Sequence, residues 1–239
     1  MVDKASVKSE LQFIDIKEAL HRDIIANVFD LKIYGRTITL IAGPSSAGKT
    51  VTAAHFADKV IQKNKTVLYF DTDSHPLISR PDPNLLITFR EKNPDSYKKY
   101  FKYSRDFVPE NFIDVLNQVT PTLIIIDSIY APFVELYKTA PKERAKQIRH
   151  FLMGVREWLY EHNAALILTS QVSKEGPSEI GEKVLYTILG GEGLKHMSDT
   201  KWVISFLQND NKEKRILLID QQEEIVLKIS YGGIIEKAS

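Results

Sequence analysis

The sequence predicts an α/β fold in which a mostly parallel central sheet is flanked by helices and followed by an antiparallel hairpin. Short, almost entirely apolar runs rich in Val, Ile and Leu recur along the chain, as strands buried on both faces require. Segments with apolar residues at helical spacing separate these runs, for example residues 141–162. Near the C-terminus, strand-like residues 201–207 and 215–219 flank a polar stretch that is typical of a hairpin turn.

Length and composition are those of one ordinary globular domain. We expect residues 1–239 to form a single domain, with about residues 1–30 as an N-terminal extension or a first helix. The 32 basic and 31 acidic residues nearly cancel, so any contact with nucleic acid must come from a local patch. No cysteine is present, which excludes disulfides and thiolate metal sites. The polar N-terminus and the lack of a long apolar run predict a cytoplasmic protein without membrane contact.

A glycine-rich loop follows the apolar run at residues 37–42, and a helical pattern follows the loop. Every fixed position of the G-x-x-x-x-G-K-[ST] pattern is satisfied by Gly43, Pro44, Ser45, Ser46, Ala47, Gly48, Lys49 and Thr50. In this pattern backbone N–H groups converge on phosphates, the lysine reaches the β and γ phosphates, and the hydroxyl can ligate Mg²⁺. The helix places its N-terminus at the anion. We therefore predict a site for ATP and Mg²⁺ at this loop.

Polar residues follow three further apolar runs. One run ends in Asp127, where a Walker B carboxylate would orient the Mg²⁺ held by Thr50. A second is followed by Asp71 and Asp73, one of which could position an attacking water. A third ends at Gln171, whose amide could bind a γ-phosphate or that water. Because ligands of an open parallel sheet bind outside the carboxyl ends of its strands, we expect these side chains to converge on the nucleotide.

The order of these motifs resembles the RecA/RadA superfamily. The stretches that carry the resemblance are residues 43–50, 69–73, 123–128, 169–172, 190–199 and 231–234. Two departures from the family pattern narrow the resemblance to a subgroup. No Phe-x-x-Ala filament motif occurs. About forty residues precede the loop, fewer than the N-terminal DNA-binding domain of the full-length archaeal members needs. The chain is thus similar to the short archaeal RadA paralogues, core-only recombinase paralogues of the RadB or RadC type, and less similar to the strand-exchange enzyme.

The resemblance implies a role for each matching residue. Lys49 would bind phosphate, Thr50 and Asp127 would hold the metal, and Gln171 would sense the γ-phosphate. His196 would contact the nucleotide at a subunit boundary.

Asp73 departs from the family, which uses glutamate to activate water at this position. Aspartate is shorter by one methylene, and a small displacement of a general base lowers the rate by orders of magnitude. We therefore expect intact ATP binding with slow hydrolysis, as in a weak DNA-dependent ATPase.

Basic residues in or near the two loops that correspond in position to the family's DNA-binding loops are candidate contacts to DNA phosphates. Phosphate contacts dominate non-specific affinity for DNA. They are Lys138, Lys142, Arg144, Arg149 and Lys174. For the patch that contains the first four, solvation is an equally good explanation, because much of the charge on the helix over about residues 141–162 would lie on its solvated face. The second loop holds several acids. A third candidate is residues 90–105, where aromatics alternate with lysines, although aromatics at this spacing are more often core.

The function implied is that of an accessory ATPase of homologous recombination and DNA repair. It would bind single-stranded DNA, the main recombinase of the RadA type, or both. One alternative is a KaiC-like signalling ATPase, although such proteins carry paired glutamates where this chain has Asp71 and Asp73. Another is a non-catalytic adaptor whose affinity for its partner depends on nucleotide.

Overall fold

The computed structural model describes most of the chain. The described residues are 22–72, 91–136, 138, 140–173, 187–206, 214–219, 223–229 and 235–237. Among them, no helix is long and apolar enough to cross a membrane.

The described chain begins with three successive strands, continues with interspersed helices and strands up to residue 197, and ends with four successive strands. The strands are β1 (Ile24–Val28), β2 (Leu31–Tyr34), β3 (Thr37–Gly43), β4 (Val67–Asp71), β5 (Phe101–Ser104), β6 (Leu123–Asp127), β7 (Ala165–Ser173), β8 (Thr187–Ile188), β9 (Thr200–Phe206), β10 (Lys214–Ile219), β11 (Glu223–Ile229) and β12 (Ile235–Lys237). The helices are α1 (Lys49–Ile61), α2 (Pro94–Tyr100), α3 (Phe112–Val119), α4 (Tyr130–Leu136), α5 (Pro141–His162) and α6 (Gly191–Met197), with a 3₁₀ turn at Pro109–Asn111.

The central sheet has a parallel core. Its parallel strands lie in the order β5-β4-β6-β7-β3-β9, and β10, β11 and β12 extend it with antiparallel pairing beyond β9. β1 and β2 form a separate antiparallel pair, and β8 pairs with the end of β7. The predicted fold class, including the antiparallel pairing of the two C-terminal strands at residues 201–207 and 215–219, is confirmed.

Both faces of the parallel sheet are buried, and successive residues point to opposite faces. One face packs under α1 and includes Ile41, Ile125 and Ile167. The other packs against α3, α5 and α6 and includes Leu40 and Ile126. This burial on both sides explains why the strands are continuous apolar runs without polar alternation.

Residues 24–28 lie in the segment predicted to be an N-terminal extension or a first helix. They form β1, which pairs with β2, and Ile25 and Val28 pack into the core beneath α1. These residues are therefore a strand and not part of a first helix. Residues 1–21 lie outside the described part of the chain.

The aromatic residues that follow residue 90 pack inward. Tyr97 is 3% exposed, and Phe101 and Tyr103 pack against the core on the α1 face. A base-stacking role is therefore wrong for Tyr97, because its ring has no accessible face. Lys98, Lys99 and Lys102 are exposed, as on an ordinary solvated face.

A buried carboxyl group connects α1 to α2. Asp58 accepts hydrogen bonds from the Tyr97 hydroxyl at 3.1 Å and from the Gln62 amide at 2.6 Å. Burial raises the pKa of Asp58, and the Tyr97 hydrogen bond and the charges of Lys59 and Lys92 only partly oppose that rise. The ionised carboxylate is therefore less favourable in the folded protein than in the unfolded chain.

Asp58→Asn should remove a pH dependence of stability. A carboxyl whose folded pKa is raised stabilises the fold fully below its unfolded pKa of about 3.9, and this contribution is lost as pH rises through the folded pKa. The wild-type free energy of unfolding should therefore fall relative to that of Asp58→Asn as pH rises from about 3 to neutrality. The Asn amide can still accept the Tyr97 hydroxyl.

Urea denaturation at a series of pH values measures this difference. Glu157→Gln, at an exposed carboxyl on α5, is the matched control and should follow the wild-type pH profile. An Asp58→Asn profile that runs parallel to wild type over the same pH range would contradict the raised pKa.

Candidate functional site

The loop between β3 and α1 has the backbone shape that anion binding requires. Ser46 and Gly48 have φ angles of 62° and 104°, and Gly48 caps the N-terminus of α1. Left-handed residues in a tight turn direct successive N–H groups toward a common point. No acidic residue lies in the first turn of α1, so the positive end of this 13-residue helix faces the loop without a neighbouring carboxylate from that turn. The loop therefore fits a phosphate group.

Lys49 lies inside the loop. Its side chain is 8% exposed, and its ammonium group donates to the carbonyl oxygens of Gly43 at 3.0 Å and Pro44 at 2.8 Å. These bonds hold the cation within the turn that would surround a bound phosphate. Contact of Lys49 with phosphate stays a prediction.

Gly43 is required for a second reason that the sequence pattern does not show. It pairs with Gln171 of β7, and on its other side a Cβ atom would lie 2.3 Å from the carbonyl oxygen of Ile204 in β9. A backbone atom cannot move aside as a flexible side chain can. This glycine therefore allows β9 to pack beside the phosphate loop.

Asp127 ends β6 and points to the α1 face of the sheet, as its alternation with Ile125 requires. Its side chain is buried, with 4% exposed. The Tyr69 hydroxyl donates to Oδ2 at 2.8 Å, and the Thr169 hydroxyl donates to Oδ1. The carboxylate is thus held from β4 on one side and from β7 on the other.

Asp71 lies directly opposite Asp127 in the β4–β6 register. Its Oδ2 accepts a hydrogen bond from the Tyr103 hydroxyl of β5 at 2.8 Å. The next residue, Thr72, donates its N–H to the Asp127 carbonyl at 2.7 Å. Asp73, predicted to activate water, lies outside the described residues.

Gln171 reaches the same edge of the sheet, because it lies opposite Gly43 in the register of β7 and β3. Its side chain is exposed, and its carbonyl oxygen accepts the N–H of Leu189 at 2.9 Å. It lines a small cavity of about 120 Å³ together with Ser128, Tyr130, Ala131 and Leu189. The structure therefore brings Gly43, Asp127 and Gln171 to one edge, as predicted.

His196 is not among the residues gathered at that edge. Its side chain is 81% exposed on α6 and lies 4.0 Å from Glu192. Nearby, Asp199 exchanges hydrogen bonds with the backbone of Ile38 at the opposite end of β3, about 16 Å from Gly43 at about 3.3 Å per strand residue. The proposed contact of His196 with nucleotide therefore needs a second copy of the chain and stays a prediction.

The predicted DNA contacts have different surroundings. Arg144 donates to the Tyr130 hydroxyl at 3.1 Å and lies over that ring, 5.6 Å from its centre. Because Tyr130 also lines the Gln171 cavity, Arg144 is tied to the edge of the candidate site. The exposed members of the set are Lys138, Lys142 and Arg149. Lys174 lies outside the described residues, and DNA contact by this set stays a prediction.

The side chains at this edge suit a metal ion that binds together with a nucleotide. Within the described residues, no cluster of three or more His, Cys, Asp or Glu side chains could hold a metal ion by itself. Magnesium in nucleotide sites is bound by one or two protein groups, substrate phosphates and waters. Thr50 at the start of α1 and Asp127 at the end of β6 are groups of that kind.

Comparison with known proteins identifies the fold. No family model matches the sequence, and no curated protein matches it. The structure is similar to that of the RadB recombinase, with 20% identity and a TM-score of 0.61 over 87% of this chain and 93% of that one. It is also similar to a KaiC-like protein from the hyperthermophilic archaeon Pyrococcus horikoshii, with 18% identity and a TM-score of 0.59 over 87% of this chain and 91% of the other.

These likenesses define the class of fold. The chain has the RecA-like α/β fold, with a glycine-rich loop after β3 and an acidic residue at the end of β6. This is the fold implied by the motif order.

Sequence reasoning missed the hydroxyl groups that hold Asp127. Tyr69 and Thr169 each lie in a stretch that carries the family resemblance, but these stretches alone do not predict their contact with the carboxylate. Their positions two residues before Asp71 and Gln171 place them on the α1 face of the sheet, and this alternation was the available signal.

Two Gly→Ala substitutions should change stability in opposite directions. Gly43→Ala places a Cβ atom against the Ile204 carbonyl and should lower the free energy of unfolding by about 1–3 kcal/mol. Gly154→Ala, within α5 with no atom within 4 Å of the added Cβ, should raise it by about 0.5–1 kcal/mol. Urea denaturation of both variants tests the comparison, and a neutral or stabilising Gly43→Ala would show that β9 does not constrain the loop.

Proposed function

We propose that this protein binds ATP with Mg²⁺ at the loop of residues 43–50, hydrolyses it slowly, and acts as an accessory factor in homologous recombination and DNA repair. The observation that carries the proposal is the meeting of the phosphate loop, Asp127 and Gln171 at one edge of the sheet. Ligands of open parallel sheets bind at that edge. The RecA-like fold adds support, since one similar structure is a recombinase.

Each group at this edge has a distinct task in the proposal. Lys49 and the loop N–H groups bind the phosphates, and Thr50 and Asp127 hold the metal. Mg²⁺, when bound with the nucleotide, neutralises charge on the phosphate oxygens. Gln171 hydrogen-bonds the γ-phosphate or the attacking water. Asp73 positions that water. Because aspartate is shorter than glutamate, hydrolysis is slower than it would be with glutamate at this position.

Nucleotide state would control affinity for single-stranded DNA, for the main recombinase of the RadA type, or for both. Gln171 and Tyr130 line the same cavity, and the Tyr130 hydroxyl accepts a hydrogen bond from Arg144. Arg144 is one of the proposed contacts to DNA phosphates. ATP binding that fixes Gln171 would thereby favour one arrangement of the DNA-contacting residues. Such a ligand acts by shifting the population between two states.

A second candidate is a KaiC-like signalling ATPase. The observation in its favour is that the KaiC-like structure is nearly as similar in fold as the RadB recombinase, with TM-scores of 0.59 and 0.61. The two functions differ in their proposed ligands, because single-stranded DNA is a candidate ligand of the recombinase paralogue only. A non-catalytic adaptor would bind its partner in response to nucleotide without turnover.

Lys49→Ala tests the proposal, with Lys59→Ala as the matched control on the exposed side of the same helix. Loss of the buried ammonium should weaken ATP binding at least about tenfold, equivalent to about 1.4 kcal/mol. Lys59→Ala should bind as wild type does. ATP affinity, ATP turnover and single-stranded DNA affinity are measured on each protein at one low salt concentration.

The expected pattern is DNA binding that ATP strengthens, and slow turnover that DNA stimulates, in wild type and Lys59→Ala only. ATP binding without any DNA binding would favour the signalling function. Nucleotide-dependent binding of a RadA-type recombinase without turnover would favour the adaptor. Equal ATP affinity in Lys49→Ala and wild type would overturn the nucleotide site.

A further inference from the structure

We propose that Tyr69 is a positioning residue for Asp127, and that its hydroxyl sets how well the protein binds nucleotide-associated Mg²⁺. This inference rests on the proposed ATP site. Tyr69 would touch neither metal nor nucleotide. It would act by fixing the direction of the carboxylate.

The sheet register explains how Tyr69 reaches Asp127. Tyr69 of β4 lies opposite Ile125 of β6, two residues before Asp127. Two residues of strand rise about 6.6 Å, a length that a tyrosine side chain spans. Its hydroxyl meets Asp127 Oδ2 at 2.8 Å on the α1 face, where both side chains are buried.

The carboxylate is clamped from two strands. Tyr69 of β4 donates to Oδ2, and Thr169 of β7 donates to Oδ1. With a donor on each oxygen, rotation of the carboxylate would break at least one hydrogen bond in a buried site. The cost of breaking such a bond is high because the group cannot turn to water.

The ring of Tyr69 is itself immobilised. It stacks on Tyr103 with centroids 6.2 Å apart at 25°, and it contacts Phe101 at 6.1 Å. The hydroxyl of this immobilised ring donates to Asp127 Oδ2.

A fixed carboxylate matters for Mg²⁺ in particular. This ion requires near-octahedral geometry at short distances, so a misdirected ligand binds it poorly. Hydrogen-bond partners that orient metal ligands typically change metal affinity by about 10–100-fold when they are removed. We therefore expect loss of the Tyr69 hydroxyl to weaken Mg²⁺ binding by about tenfold.

Tyr103 provides a matched control in the same stack. Its hydroxyl donates to Asp71 at 2.8 Å and accepts from Arg105 Nε at 3.1 Å. It therefore contacts the carboxylate at the end of β4 and not Asp127. Tyr69→Phe and Tyr103→Phe each remove one hydroxyl and keep the ring. Only the first removes a hydrogen bond to Asp127.

The test measures ATP binding by calorimetry, without metal in EDTA and across a Mg²⁺ titration. Tyr69→Phe should need about tenfold more Mg²⁺ to reach half of the metal-dependent gain in affinity, while its affinity in EDTA stays within about twofold of wild type. Tyr103→Phe should match wild type in both conditions. Thr169→Val, which removes the other hydroxyl from Asp127, should also raise the Mg²⁺ requirement and serves if Tyr69→Phe does not fold.

Wild-type Mg²⁺ dependence in both Tyr69→Phe and Thr169→Val would overturn the inference while leaving the ATP site intact. Equal losses of affinity with and without Mg²⁺ would also overturn it, since they indicate a general structural role. An identical shift in Tyr103→Phe would assign the effect to the ring stack. If wild-type protein binds no ATP at all, the proposed function fails first.

Discussion

Burial of the parallel sheet on both faces is the constraint on which the candidate site depends. Every residue from Leu123 to Ile126 is fully buried, so no polar side chain has a place within that strand. On this strand, a polar side chain can lie only at the end, beyond the helices that cover the sheet. The register then determines which groups meet, and it places Asp71 beside Asp127 and Gln171 beside Gly43. The phosphate loop follows β3 at the same edge, so one architectural constraint assembles the whole site.

A second consequence concerns rigidity. A buried carboxylate is unfavourable unless it is hydrogen-bonded, and Asp127 is bonded by hydroxyls from the strands on both sides. The same bonds that stabilise its charge also fix its direction. The ammonium group of Lys49 is also held in place, because it donates hydrogen bonds to carbonyl oxygens of its own loop. Both groups are therefore oriented by the protein itself, which lowers the reorganisation that the proposed nucleotide binding would require.

The sequence was sufficient for the features that depend on local order. The phosphate loop, the Asp127 strand end, Gln171 and the C-terminal hairpin each follow from spacing within a short stretch of chain. The contact of Tyr69 with Asp127 joins residues 58 positions apart, and it exists only because β4 and β6 are neighbours. The packing of Gly43 against Ile204 likewise depends on β9 lying beside β3. Periodicity reveals the face of a residue but not its neighbouring strand, so these contacts required the structure.

Hydrogen exchange measured by mass spectrometry tests most directly whether this edge is the nucleotide site. Wild-type protein would be compared without ligand, with ATP and EDTA, and with ATP and Mg²⁺. The structure predicts that ATP slows exchange at residues 43–52, and that Mg²⁺ adds protection at the ends of β6 and β7, around residues 127–131 and 171–173. Unchanged exchange at residues 43–52 in saturating ATP, with protection elsewhere on the molecule, would contradict the placement of the site.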